Sequence, residues 1–311
     1  MNQTTNSSLP SPWDPYIEQY ILATIQGGWI TLGCSILQIG LLLVTVTKEH
    51  QCTIDQKSFL TRFFSTINFL ILFLILSNCI SVLFLMPMSP ALEMACMVAG
   101  NFFGYSFQFL VVYYTWFRSY AVLSAIAEWS VVYLRPLVVL YSLLQIILFC
   151  LVIVDTFFDP EIYYTVVPYV QTTSQVLVFL FEVIVLIVFV QYLRTWKHEG
   201  FGTLKTQNSK KLIIISRAGI ASFWTYQVYL ATSIGFNYVN SPSLPIVSVP
   251  VLILFWDVQQ YAPLVYIFIQ LGMKWAIISE REKVVQGSGL DRTPVPDLTT
   301  QRKSEIPKKL T

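Results

Sequence analysis

Phe63–Met86 reads FFSTINFLILFLILSNCISVLFLM, a run of 24 residues without one Asp, Glu, Lys, Arg or His. At about 1.5 Å of rise per residue, a helix of this length covers about 36 Å, more than the roughly 30 Å of hydrocarbon in a bilayer. Backbone in lipid must satisfy its own N–H and C=O groups, and a helix does so within one segment. The run therefore predicts a membrane-spanning helix. Six further stretches share its character: Tyr20–Val46, Val98–Ala127, Leu137–Thr156, Val167–Leu193, Leu212–Ile234 and Ile246–Gln270. Each is at least 20 residues long, so the expected fold is an all-α membrane protein, a seven-transmembrane helix bundle.

Composition points the same way. Of 311 residues, 55% are hydrophobic and 12% charged, where soluble domains carry about 25% charged residues. That is too little charge to coat a water-soluble globule, which argues against a soluble enzyme or a nucleic-acid binder. The chain divides into an outer segment (1–19), one membrane domain (20–278) and a tail (279–311) rich in Lys, Arg, Pro, Ser and Thr. The tail is expected to be disordered, with Thr293, Thr299, Thr300 and Ser304 as possible phosphorylation sites.

Orientation follows from Lys and Arg. Segments 47–62, 128–136, 194–211 and 271–311 hold 17 of the 19, and the alternating segments 1–19, 87–97, 157–166 and 235–245 hold none. Basic residues stay on the cytoplasmic side, so the N-terminus is expected outside and the C-terminus inside. Asn2 and Asn6 each begin an Asn-x-Ser/Thr triplet, a glycosylation acceptor usable only on the outer side. The first 19 residues are polar and lack a basic start, so the first span is expected to serve as the insertion signal. Of Cys34, Cys52, Cys79, Cys96 and Cys150, only Cys96 falls near the outer surface. No outer intramolecular disulfide is expected.

Several short stretches bear a resemblance to one family. The seventh span ends Tyr261-Ala262-Pro263-Leu264-Val265-Tyr266-Ile267-Phe268. It resembles the Asn-Pro-x-x-Tyr motif of rhodopsin-like G-protein-coupled receptors, with Ala262 in place of Asn. Gly272-Met273-Lys274-Trp275 looks like the short amphipathic helix on the inner face of those receptors. The third span runs through Ala125-Ile126-Ala127-Glu128-Trp129-Ser130 to Arg135-Pro136. This is similar to the family's Asp/Glu-Arg-Tyr motif and the loop after it; Glu128 and Pro136 match, while Trp129 and Ser130 stand at the Arg and Tyr positions. Leu74-Ile75-Leu76-Ser77-Asn78 and Phe223-Trp224-Thr225-Tyr226 are fainter echoes of second- and sixth-span motifs. The family's first-span Asn, fourth-span Trp, fifth-span Pro and outer disulfide are not found, and Trp256 occupies the place of an opsin's retinal lysine.

The resemblance implies a plasma-membrane signalling protein with no cofactor. An extracellular ligand would be sensed in a pocket lined by Val111, Thr115, Trp224, Gln227 and Trp256, each of which is equally explained by helix packing. Asn78, Arg118, Asp257, Pro263 and Tyr266 would form an intramembrane polar switch. A heterotrimeric G protein would dock on Glu128, Trp129, Arg135, Lys210 and Lys211, although basic residues there also follow from topology alone.

Ionisable side chains at membrane depth are costly and tend to face the interior and pair. Arg118, Glu182 and Asp257 stand out. Ser119–Ala127 is too apolar for a cytoplasmic loop, which favours a long third span with Arg118 inside it; the alternative ends that span at Phe117 and places Arg118 at the interface. The resemblance would place Arg118, Asp257 and Asn78 around one central polar pocket, and in that frame an Arg118–Asp257 ion pair is expected to link the third and seventh helices, as a latch or a purely structural contact. Glu182 has no evident basic partner in the sequence; it is a candidate contact for a cationic ligand or a hydrogen-bonding group between helices. The outer half of the bundle lacks Lys, Arg and His, so cationic, neutral or apolar ligands are less penalised there than anions. Two rival readings remain: a seven-helix transporter or channel using Glu182, Asp257 and Asn78 as a relay, and a receptor-shaped scaffold that does not signal. No Ser-His-Asp grouping, metal spacing or Gly-rich phosphate loop suggests an enzyme.

Overall fold

The computed structural model describes residues 14–51, 58, 61, 63–86, 90–126, 128–157, 166–198, 207–239 and 249–288. Among these residues lie seven helices: α1 (Asp14–Gln51), α2 (Thr66–Phe84), α3 (Pro90–Ile126), α4 (Glu128–Phe157), α5 (Val167–His198), α6 (Gln207–Val239) and α7 (Val249–Ser288). The polar residues within them do not break the helices, because many hydroxyls return to their own backbone. Thr24, Thr45, Ser142, Thr173, Ser222 and Thr225 each donate to the carbonyl four residues earlier, which removes a bare donor from an apolar setting.

Neighbours in sequence are neighbours in space. Each helix packs on the next, and α7 closes the ring against α1 and α2. α3 occupies the centre, touching α2, α4, α5 and α6. Matched contacts fix the directions. Gln38 meets Leu264 and Glu49 meets Lys274, so α1 and α7 run parallel. Thr115 meets Tyr266 and Arg118 meets Gln270, so α3 shares that direction. Thr232 meets Gln259 and Ser222 meets Gln270, so α6 opposes α7. Gln175 meets Ser233 and Phe189 lies against Gly219, so α5 opposes α6. The start of α1 and the end of α7 therefore lie at opposite ends of the bundle. One end gathers Lys48, Arg135, Arg194, Lys210, Lys211, Lys274, Arg281 and Lys283, and is called the basic end below.

Six of the seven helices are long and apolar enough to cross a membrane: Glu18–Gln51, Thr66–Phe84, Met94–Tyr120, Glu128–Val154, Val167–Gln191 and Pro250–Lys283. The chain is thus a multi-pass membrane protein by composition, with six such helices where the sequence predicts seven spans. The exception is α6. Lys210, Lys211 and Arg217 and a series of Ser, Thr, Tyr and Gln residues dilute its hydropathy. Several of these polar residues (Ser216, Ser222, Tyr226 and Ser233) are buried inside the bundle.

Two further expectations are corrected. Gly272–Trp275 does not form a separate helix: α7 continues unbroken over 40 residues to Ser288, about 60 Å. The tail expected from Ser279 onward accordingly begins as helix, and residues 289–311, with their candidate phosphorylation sites, lie outside the described residues, as do Asn2 and Asn6. Cys34, Cys79, Cys96 and Cys150 are free thiols.

The core is aliphatic and aromatic, built from Leu42, Ile71, Leu74, Ile75, Val111, Leu123, Leu134, Phe181, Phe189, Tyr226 and Tyr266 among others. α5 and α6 approach closely at Gly219, where an added Cβ would come within 2.0 Å of the Phe189 ring. Gly33 on the outer face of α1 has nothing within 4 Å. In thermal unfolding of the purified protein, Gly219→Ala is expected to lose about 1–3 kcal/mol through overpacking. Gly33→Ala is expected to hold or gain up to about 1 kcal/mol, since Ala is the better helix former.

Candidate functional site

The polar centre of the bundle is built on Arg118. It projects from α3 about 12 Å before the helix end at Ile126 and is 6% exposed. Its Nη1 donates to Gln270 Oε1 on α7 at 2.8 Å and to Ser222 Oγ on α6 at 3.3 Å. Gln270 Nε2 donates to the same Ser222 oxygen, and Ser222 donates in turn to Ala218 O. The amide of Gln270 thus uses both its groups, and three helices are tied through one guanidinium. The rings of Tyr114 and Phe189 lie 5.9 Å from the guanidinium carbon, close enough for a cation–π contribution. One turn away, the hydroxyls of Thr115 and Tyr266 meet at 3.2 Å.

The Arg118–Asp257 ion pair is not formed. Asp257 lies 13 residues before Gln270 on α7, about 20 Å along the axis, and α3 runs parallel to α7, so Arg118 reaches only the later turn. Asn78 and Asp257 therefore do not join Arg118. Pro263 and Asn78 line a separate cavity, while the Tyr266 ring lies tilted 6.0 Å from that of Tyr226 and stays with the Arg118 layer.

Glu182 on α5 is 3% exposed, and its Oε1 has no hydrogen-bond partner. It feels the charge of Arg118 electrostatically and neighbours Thr115, but no ion pair joins it to Arg118. Arg118 Nε and the hydroxyls of Tyr114 and Tyr226 are likewise unpartnered. The layer holds a cation, an acid and several hydroxyls with hydrogen-bonding capacity to spare.

The residues expected to line a ligand pocket do not converge. Val111 and Thr115 are fully buried in the interior. Trp224 is 63% exposed on the outward face of α6 and cannot line an inner pocket. Gln227 is half-buried with Nε2 unpartnered. The Trp256 ring lies tilted between those of Tyr20 and Phe236, each at 5.6 Å. It alone of the expected set lines a cavity of about 80 Å³ between α2, α3, α6 and α7, together with Asn78, Gln260 and Pro263.

At the basic end, the run Glu128–Trp129 begins α4 and does not end α3. Trp129 and Arg135 are exposed on α4. Glu128 in the first turn suits the positive end of the helix dipole. The continuation of α7 is pinned by charge. Lys274 bridges Glu49 of α1 at 2.9 Å and also contacts Asn68 of α2. Lys48 pairs with Glu282 at 2.7 Å and sits 4.4 Å over the Trp275 ring. Lys210 of α6 reaches Glu280 at 3.5 Å, which Lys283 holds at 2.8 Å. Burial and the nearby Arg281 push the Lys211 ammonium below its usual pKa. Lys210 and Lys211 therefore face the α7 extension as well as solvent.

Sequence reasoning missed Gln270, Ser222, Gln260 and the Lys274 bridge. The available signal was amide residues inside apolar runs: Gln38, Gln108, Gln145, Gln175, Gln260 and Gln270 are all buried. Comparison with known proteins returns no matching family model, characterised protein or solved structure.

Gln270→Leu is expected to lower stability by about 1.5–3 kcal/mol, the scale of a hydrogen bond to a charged group. Arg118→Met combined with Gln270→Leu is expected to recover much of that loss, because it removes the stranded charge as well. Thermal unfolding of four proteins in one detergent (wild type, Gln270→Leu, Arg118→Met and the double variant) decides it; additive losses would show that the two side chains are not coupled.

Proposed function

We propose that this chain is a plasma-membrane receptor of seven helices, a divergent relative of the rhodopsin-like G-protein-coupled receptors, with its N-terminus outside and its basic end in the cytoplasm. In this reading α6 crosses the membrane with the other six helices. The observation that carries the reading is the Arg118–Ser222–Gln270 junction, which lies between a cavity toward one end of the bundle and a charged surface at the other. A receptor needs such an element: a buried contact with two discrete arrangements that both ends can bias. A ligand shifts that equilibrium only as far as it binds one arrangement better than the other.

The geometry supports a definite movement. Displacing α6 from α3 and α7 separates Ser222 from Arg118 and Gln270 and opens the Lys210–Glu280 pair. It would leave Arg118 with Gln270 and give the unpartnered Oε1 of Glu182 and the Tyr226 hydroxyl a role as alternative partners. The exposed face left at the basic end, with Arg135, Lys210 and Lys211, suits an acidic docking surface on a G protein. Trp129, on α4, stands beside that surface and takes no part in the junction.

Two measurements test this. Epitope tags at the two ends should label from opposite sides of an intact cell, the N-terminal one from outside; labelling of both from one side would remove an odd number of crossings and the receptor with it. Membranes containing the protein should stimulate nucleotide exchange on at least one member of a G-protein panel, and Lys210→Ala with Lys211→Ala should reduce it severalfold by removing electrostatic attraction. No exchange with any ligand pool would leave a scaffold, and ligand-independent solute flux in liposomes would make the protein a transporter.

A further inference from the structure

Two cations at the basic end have no acid to answer them. The acids described at this end of α1, α6 and α7 are already engaged: Glu49 by Lys274, Glu282 by Lys48, and Glu280 by both Lys210 and Lys283. Lys211 on α6 and Arg281 on α7 make no ion pair or hydrogen bond among the described residues. Register brings these two together. Lys210 meets Glu280 at 3.5 Å across the α6–α7 seam, so the next residue on each helix lies at the same level. Helical periodicity then gives their direction. Lys211 precedes Ser222 by eleven residues, about three turns, and Arg281 follows Lys274 by seven, about two turns. Each therefore shares the inward face of its helix, since Ser222 meets Arg118 and Gln270 while Lys274 meets Glu49 and Asn68. Both are half-buried, whereas the Lys283 side chain on the outer side of α7 is 71% exposed. The charge of Arg281 bears on both Lys211 and Lys274, and like charges partly removed from water repel more strongly than solvated ones.

Two neighbouring cations without an acid call for an anion of two charges. A carboxylate brings one. A phosphate monoester carries about −1.5 to −2 at pH 7 and three acceptor oxygens. A guanidinium grips two such oxygens through its planar fork, and an ammonium adds a point charge. We propose that Lys211 and Arg281 form a binding site for a phosphate monoester on the inner side of the α6–α7 seam. The site lies where the apolar run of α6 starts, at Leu212. A soluble phosphate and the headgroup of an anionic lipid both present this chemistry at that depth. The assignment goes beyond the receptor reading and does not rest on it, because binding is measured without a G protein.

The test is titration calorimetry on the purified full chain in an uncharged detergent, with four probes: inorganic phosphate, short-chain phosphatidic acid, short-chain phosphatidylglycerol and acetate. Phosphate and phosphatidic acid should bind. Acetate and phosphatidylglycerol, a diester of one charge, should bind at least about tenfold more weakly. Lys211→Gln with Arg281→Gln should weaken phosphate about tenfold or more, from the loss of hydrogen bonds to charged groups. Arg281→Lys, which keeps the charge and loses the fork, should weaken it severalfold. Arg135→Gln with Lys283→Gln removes the same charge from exposed positions of the basic end and should leave the affinity within about twofold. Arg281→Glu gives Lys211 a fixed acid. It should abolish phosphate binding and raise the midpoint of thermal unfolding measured without phosphate, which also reports that the fold survives. Equal losses in the two double variants would reduce the effect to general surface attraction and overturn the site. So would acetate or phosphatidylglycerol matching the monoesters, or no binding of either monoester by the wild type. Phosphatidic acid binding about tenfold tighter than phosphate supports the site with the membrane as its source, and comparable binding supports it with the solution as its source. Nucleotide exchange is scored separately: phosphate binding without exchange keeps the site and loses the receptor, and exchange without phosphate binding does the reverse.

Discussion

Hydrogen-bonding closure in a medium without water governs this fold. A polar group facing lipid or packed in an apolar core costs several kcal/mol if nothing answers it, yet every helix here carries Ser, Thr, Tyr, Asn or Gln within its apolar run. The chain meets the constraint in two ways. Hydroxyls return to the carbonyl four residues back, which settles them locally and leaves the helix free to pack anywhere. Amides and the guanidinium are too long for that; several find another helix, while Gln145 and Gln260 find no partner among the described residues. Gln38 finds Leu264 O, Gln175 finds Ser233, and Gln108 finds Tyr229. These long side chains fix the register of α1 on α7, α5 on α6 and α3 on α6, where apolar packing alone would tolerate sliding.

The same division explains what could be seen in the amino-acid sequence. The apolar runs were plain because charge is expelled from them, and their number and order match the seven helices. The boundary between α3 and α4 was not plain. Ser119–Ala127 is apolar and the first ionisable residue after it, Glu128, opens α4, so no polar turn marks where one helix stops. A motif placed by the end of the apolar run therefore fell on the wrong helix. Attention to ionisable groups found Arg118 and Glu182, both buried, but paired Arg118 by charge with Asp257. Direction and register, which composition does not carry, put a neutral amide at that depth instead. Trp224 was expected to line a pocket from its place in the resembled sixth-span motif; it lies outward instead, 63% exposed, where an aromatic body can contact lipid.

Charge at the basic end obeys a different rule because water is near. Lys48, Lys274, Lys210, Glu49, Glu280 and Glu282 bind the α7 extension to α1 and α6 in partly exposed pairs. Single exposed pairs contribute at most about 1 kcal/mol each. The Lys274 contact differs, since its side chain is mostly buried and answers both Glu49 and Asn68. It makes the start of the extension a fixed part of the bundle, while the Lys210–Glu280 pair beyond it is weak enough to open. At the basic end the charged contact between α7 and α1 is thus stronger than that between α7 and α6, although along their length α6 packs on α7 more extensively than α1 does.

That asymmetry meets the unsatisfied groups around Arg118. A buried guanidinium held by two neutral oxygens retains an unused Nε–H, and a buried carboxyl nearby retains an unused oxygen. In a molecule selected for stability alone, such a pair would be joined or replaced by apolar residues, since uncompensated buried charge is expensive. In the proposed receptor, keeping them close but unjoined would leave a second set of contacts within reach of a shift of α6. The cost of burying the two groups would then be borne in both arrangements, and only the small difference between their partners would decide which one is populated.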